Sequence, residues 1–224
     1  MKPLFFIHVT KTAGGTLKRM IRESGMDVQF HYPGEDGFSR DFAYAPDVEM
    51  IYGHFRFGTH AMMGAEPNYA CFVRDPVERA ISHFHHLKNV AKNHAGERAR
   101  KFGDIGTFLR KTRNLDLDNL QTRMLSGIGR DLKYKELDQS AVDRAVENLT
   151  QHFRFIGVFE ELEASLDALG ELFPALAGHA RLPHVNKGNY AADIDAETLA
   201  LLQDHTRLDQ QVYAEAVRLA GLRA

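Results

Sequence analysis

His8-Val9-Thr10-Lys11-Thr12-Ala13-Gly14-Gly15-Thr16 decides the reading of this chain. Ahead of it runs Leu4-Phe5-Phe6-Ile7-His8-Val9, short and almost wholly apolar, the pattern of a parallel strand buried on both faces. After it come Leu17, Met20 and Ile21 on one helical face, with Gly25 where a C-terminal cap belongs. A strand, a glycine pair and a helix start together make an anion site. The glycines let backbone N–H groups crowd an oxyanion, the helix dipole adds partial positive charge, and a lysine supplies a full one. Lys11, Thr12, Ala13, Gly14, Gly15 and Thr16 are therefore expected to cradle a phosphate. The order is not that of the Walker loop, in which lysine directly precedes the closing Ser/Thr; here Lys11 comes first.

A second strand-to-helix junction follows downstream. Tyr69-Ala70-Cys71-Phe72-Val73 reads as a strand, and Asp75 as N-cap with Pro76 at the first helical position starts a helix. Val77, Ala80, Ile81, Phe84 and Leu87 make its buried stripe, which leaves Arg74 and Ser82 unexplained by packing. An arginine offers a bidentate fork and a hydroxyl one more donor, a set suited to a doubly charged phosphate. Between the junctions, Val48-Glu49-Met50-Ile51-Tyr52 is expected to be a strand ending at Gly53-His54, which puts His54 at a carboxyl edge, where open α/β sheets bind ligands.

The loop order Lys-Thr-Ala-Gly-Gly-Thr resembles the 5′-phosphosulfate loop of carbohydrate sulfotransferases of the heparan sulfate 2-O type. Arg74-x-Pro76-x-x-Arg79-x-x-Ser82 resembles the 3′-phosphate motif of the same enzymes. Weaker likenesses lie in Asn119–Gly127 and in Ile156-Gly157-Val158-Phe159-Glu160. The resemblance implies a P-loop-like α/β three-layer sandwich with a central parallel sheet flanked by helices. It also implies transfer of a sulfonate group from 3′-phosphoadenosine 5′-phosphosulfate (PAPS) to a hydroxyl, most often of a carbohydrate or glycolipid. Arg74 and Ser82 would then grip the 3′-phosphate, and Lys187 and Gly188, in the loop Pro183–Asn189, would close over the donor nucleotide. His54, in the Gly-His context of the family's base, would take the acceptor's proton, with Glu49 and Glu160 as carboxylate rivals because related enzymes use a glutamate. Arg56, His60, Gln121 and Arg123 are candidate acceptor contacts, a buried structural arginine being the other reading of Arg123.

The chemistry can be argued without the resemblance. In-line displacement at sulfur builds charge on the leaving phosphate, which Lys11 and the Gly14, Gly15 and Thr16 amides can stabilise with no metal. A sugar hydroxyl needs its proton removed, and a histidine can do that near neutral pH. Twelve histidines dilute the case for any one; His83, His85 and His86 read as surface or packing residues and His8 as a hydrogen-bonded core histidine. A nucleotide-dependent kinase or hydrolase on the same kind of loop is the alternative, against which the position of the lysine and the second arginine-serine motif both speak.

Composition bounds the rest. The 224 residues suffice for one domain, expected over 1–224, with hydrophobic and charged shares of 44% and 26% and a net charge of -2 that argues against a nucleic-acid partner. No stretch has the roughly 20 apolar residues of a transmembrane helix, and no signal peptide is evident. With one cysteine, Cys71, no intramolecular disulfide is possible, and a bacterial-type cytoplasmic enzyme is expected. Of the remaining segments, Met26–Pro46 is expected to be a connecting loop and Asn89–Asp104 a mobile basic stretch. Helices are expected over Ile105–Arg113, Asn119–Gly127, Ala141–Leu149, Glu160–Phe173 and after Asp195, with a fourth strand at Phe153–Phe159.

Overall fold

A computed structural model describes residues 3–31, 48–177 and 194–221. Five parallel strands form one sheet: β1 Leu4–Ile7, β2 Val28–His31, β3 Met50–Gly53, β4 Tyr69–Val73 and β5 Phe153–Val158, in spatial order β2-β3-β1-β4-β5. β1 is central, with Ile7 level with Gly53 on one side and Cys71 on the other. From β1 the chain builds outward to one side and then, with β4 and β5, to the other. This reversal beside β1 is the switch point where such sheets open a crevice beyond their carboxyl ends.

Alternation along the buried strands feeds two apolar layers. Leu4, Phe6, Met50, Tyr52, Ala70 and Phe72 face helices α1 (Gly14–Glu23) and α8 (Leu162–Leu172), through Leu17, Met20, Ile21, Leu162, Leu166 and Leu169. Phe5, Ile7, Ile51, Cys71 and Val73 face α6 (Leu120–Leu125), α7 (Gln139–His152) and α10 (Arg207–Leu219). The expected three-layer arrangement is thus present. A third cluster joins α3 (Pro76–Asn89) to α4 (His94–Phe102), α5 (Ile105–Lys111) and α9 (Ala196–His205). The short helix α2 (Thr59–Met62) completes the set, and among the described residues no helix is long and apolar enough to cross a membrane.

Two expectations need correction. Within the supposed loop Met26–Pro46 lies β2, a four-residue edge strand pairing Val28–His31 with Met50–Gly53. It is only half-buried over most of its length, so Val-Gln-Phe-His carries little apolar signal. The supposed mobile stretch Asn89–Asp104 contains α4. Asn93 caps it by accepting from the Gly96 N–H at 3.0 Å, and Arg100 donates to the carbonyls of Lys88 and Ala91 at 3.3 and 2.8 Å. Its basic residues advertise solvent, while the small face that packs, Gly96 and Ala99, is too brief to show a helical period.

Candidate active site

The cradle begins where β1 ends. Lys11 and Ala13 both have positive φ, 72° and 64°, a conformation that costs an L-residue roughly 1–2 kcal/mol. Alternating left-handed residues turn successive N–H groups toward one concavity, a geometry that binds anions. Thr12 anchors the turn from within: its hydroxyl donates to the Val9 carbonyl at 2.7 Å and is wholly buried. That corrects part of the expectation, because the Thr12 side chain is turned inward to hold the loop. Gly15 is exposed and Thr16 half-exposed, so the first turn of α1 opens outward. Gly14 is required sterically, since a Cβ there would stand 1.8 Å from His8 Nε2.

Across the crevice, Arg74 follows β4. Its guanidinium donates to the Lys11 carbonyl at 3.2 Å, stands 3.8 Å from the Glu78 carboxylate and lies 4.3 Å above the Phe159 ring. At 5% exposure it is no surface ion-pair residue. Gln121 fixes its backbone from both ends, accepting from the Arg74 N–H at 3.0 Å and donating to its carbonyl at 2.9 Å. Asp75 caps α3 by accepting from Glu78 N–H at 2.9 Å. One turn beyond Glu78, Ser82 lies on the same face. Arg74 and Lys11 sit close enough that the arginine, after burial, helps hold the lysine below its ordinary pKa.

The third element is His54, directly after β3. Gly53 must be glycine because a Cβ would meet the His31 carbonyl at 1.7 Å, and the His54 N–H donates to that same carbonyl at 3.0 Å. The ring nitrogen Nδ1 lies 2.8 Å from the His8 carbonyl oxygen. A carbonyl can only accept, so Nδ1 carries the proton and Nε2 is the ring's basic atom. Burial lowers the pKa of His54, while the His8 carbonyl and the charge of Asp116 pull it back up. The neutral ring is thereby favoured at physiological pH without losing its capacity to accept a proton.

Other candidates fall elsewhere. Glu160 is a structural carboxylate: its two oxygens accept from the Asp75 N–H and the Tyr213 hydroxyl, each at 2.9 Å. Glu49 precedes β3, at the amino edge of the sheet, and accepts from the Asp27 N–H at 2.9 Å. Both carboxylates are thus hydrogen-bonded within the fold. His60 is also at the amino edge, hydrogen-bonded through Nδ1 to the hydroxyl of Tyr69, which opens β4. Arg56 is tied to the Ile128 carbonyl at 2.6 Å and to the carboxylate of Asp131. Gln121 and Arg123 are 0% and 1% exposed, out of reach of any acceptor. Arg123 instead spans the Asp118 carboxylate and the carbonyls of Asp118, Gly129, Leu132 and Lys133. The proposed closing residues Lys187 and Gly188 lie outside the described residues.

Two contributors escaped the sequence reading. His8 is not a satisfied core histidine: Nδ1 is buried with no hydrogen-bond partner among the described residues, and the ring belongs to the site. Its place at the end of an apolar run, in phase with Leu4 and Phe6, was the available signal. Asp116 collects the Arg130 guanidinium at 2.9 Å and His83 at 3.7 Å, while its backbone carbonyl accepts from Arg79 at 2.8 Å. It sits outside any motif, so nothing local marked it.

A glycine-paired loop, a strand-end arginine and a strand-end histidine thus gather at one switch point of a parallel sheet. Comparison with known proteins identifies the family: the sulfotransferase family model matches residues 2–216, and the chain belongs to that family. Heparan sulfate 2-O-sulfotransferase 1 of Mus musculus and that of Homo sapiens are each 27% identical over 170 residues, covering 72% of this chain and 48% of the relative. The chain therefore spans about half the length of the curated relatives it matches. Among solved structures, mouse sulfotransferase SULT7A1 complexed with PAP aligns over 93% of this chain and 64% of that one, with TM-score 0.42 and 14% identity.

Proposed function

We propose that the protein is a PAPS-dependent O-sulfotransferase acting on a saccharide hydroxyl. What supports this above all is the meeting of the Lys11 loop and the Arg74 guanidinium, joined at 3.2 Å, at the same sheet edge as a histidine with a basic Nε2. The 5′-phosphosulfate of the donor lies in the cradle, and Arg74 with Ser82 takes the 3′-phosphate. The acceptor hydroxyl gives its proton to His54 Nε2 as its oxygen bonds to sulfur. The bond between sulfur and the bridging oxygen breaks, leaving adenosine 3′,5′-bisphosphate with its new charge on that oxygen. Lys11 and the Gly14, Gly15 and Thr16 amides meet this charge in place, so the reading assigns no step to a metal. Sulfonate transfer by the relatives named for heparan sulfate makes a glycan the first acceptor class to try. The single thiol, Cys71, wholly buried in β4, fits a reducing compartment and a cytoplasmic enzyme.

The test combines binding with turnover. Adenosine 3′,5′-bisphosphate should raise the melting temperature by mass action, more than adenosine 5′-monophosphate or adenosine triphosphate with Mg²⁺, and Arg74→Ala should abolish the difference. Labelled PAPS incubated with a panel of unsulfated glycans should then label one class, and His54→Gln should suppress labelling while leaving bisphosphate binding intact. Stabilisation by the triphosphate alone would overturn the assignment.

A further inference from the structure

His8 touches both halves of the site. Its ring fills the space under Gly14 that a Cβ would occupy, so it presses against the first turn of the donor helix. On its other side it stacks on His54, with ring centroids 4.5 Å apart and planes 26° from parallel, and it stacks on Tyr52 at 5.2 Å. Its backbone carbonyl is the acceptor that sets the His54 tautomer. Its Nδ1 is buried with no hydrogen-bond partner among the described residues, so that atom does not tie the ring and the stacking contacts hold it.

We propose that the His8 side chain is a positioning residue for His54, a neutral ring wedged between the donor cradle and the base that fixes the base's plane and supports its charged form. The proposal rests on the reading of His54 as the base. As His54 takes the acceptor's proton, its positive charge forms against the π-face of His8, a contact that is attractive only while His8 stays uncharged. The surroundings ensure that. Burial, then His54, Lys11 and Lys18, bring the His8 pKa down to about 3. Among the described residues, the charged groups acting on His54 are Lys18 and Asp116, with the His8 and His31 carbonyls holding its ring and its backbone. No proton passes through His8.

The test reads the base directly, by long-range ¹H–¹⁵N imidazole spectra of the full chain with and without adenosine 3′,5′-bisphosphate. Wild type should show His54 as the Nδ1–H tautomer with a midpoint below the ordinary histidine value. In His8→Leu the face contact is lost while the backbone carbonyl stays, so the midpoint should fall by roughly half a pH unit, about a threefold change in protonation. His8→Phe, which keeps the ring, should retain the wild-type tautomer and midpoint. An unchanged His54 signal in His8→Leu overturns the proposal. So does a displaced one in a His8→Phe protein that binds the bisphosphate normally, which covers the case of a leucine variant that does not fold. Failure of the base reading looks different: His54→Gln would transfer sulfonate from labelled PAPS at the wild-type rate whatever the spectra show.

Discussion

The polar groups around the cradle and those under α6 are both buried, yet they are arranged in opposite ways. Beneath α6, Arg123 and the Asp209 carboxylate are each held by several partners. Arg123 makes five hydrogen bonds, and the Asp209 carboxylate accepts from Gln121 N–H, Thr122 N–H and the Thr122 hydroxyl at 3.2, 2.7 and 2.8 Å. Around the cradle, by contrast, two residues carry positive φ, two cations adjoin, and His8 Nδ1 and Thr10 Oγ1 find no hydrogen-bond partner among the described residues. A satisfied polar core specifies a shape. An unsatisfied one, held in place by its neighbours, stores the capacity to bind. Gln121 joins the two regions, because its amide is anchored by Asp209 and its side chain pins Arg74.

The largest expected effect breaks the satisfied side. Arg123→Ala strands a buried Asp118 carboxylate, the partners being 1% and 2% exposed, and should cost roughly 3–5 kcal/mol in urea unfolding. Bisphosphate affinity of the folded fraction should be unchanged. Lys11→Ala attacks the other side: single-turnover transfer should fall by about 10²–10³-fold, as for loss of one preorganised donor, with the urea midpoint preserved. Equal stability losses in the two variants would erase the contrast between the regions. Gln121→Ala should show both characters, losing about 1–3 kcal/mol because the Arg74 N–H and carbonyl are left buried, and weakening bisphosphate binding in calorimetry.

A further effect concerns pH. Burial brings His8 down to about 3 and His83 to about 4 from an ordinary 6.5, so between those values the unfolded chain binds protons that the folded one refuses. Stability from these two groups is complete above pH 6.5 and drains away as the pH falls toward 4, by up to about 1.4 kcal/mol per pH unit for each group. His8→Phe should flatten that slope, measured by urea melts across the range, without altering stability at pH 8 beyond the gain from removing an unpartnered nitrogen.

Legibility followed the physics of each element. β1, β3 and β4 are buried throughout, so their apolar runs stand out; β2 is a half-exposed edge and does not. The cradle and the α3 start are local constructions, in which caps and glycines act on their near neighbours, and both were readable. Arg56, His60, Gln121 and Arg123 were placed by proximity to motifs. Their side chains, however, answer to Asp131, Tyr69, Arg74 and Asp118, and three of those partners lie up to 75 residues away in sequence or on another element.

By itself, then, the sequence determined what short-range forces determine: a strand-loop-helix with a glycine pair, a second junction bearing Arg74 and Ser82, and a histidine at a strand's end. Tertiary structure alone decided which oxygen holds His54 Nδ1, that Gly14 and Gly53 make room for a ring and a carbonyl from elsewhere, and that Glu160 and Arg123 are spent on support. The reason is one of range. Backbone propensity and capping act over a few residues, whereas a side chain's protonation, partners and exposure depend on groups that only the packed sheet brings within 3–4 Å.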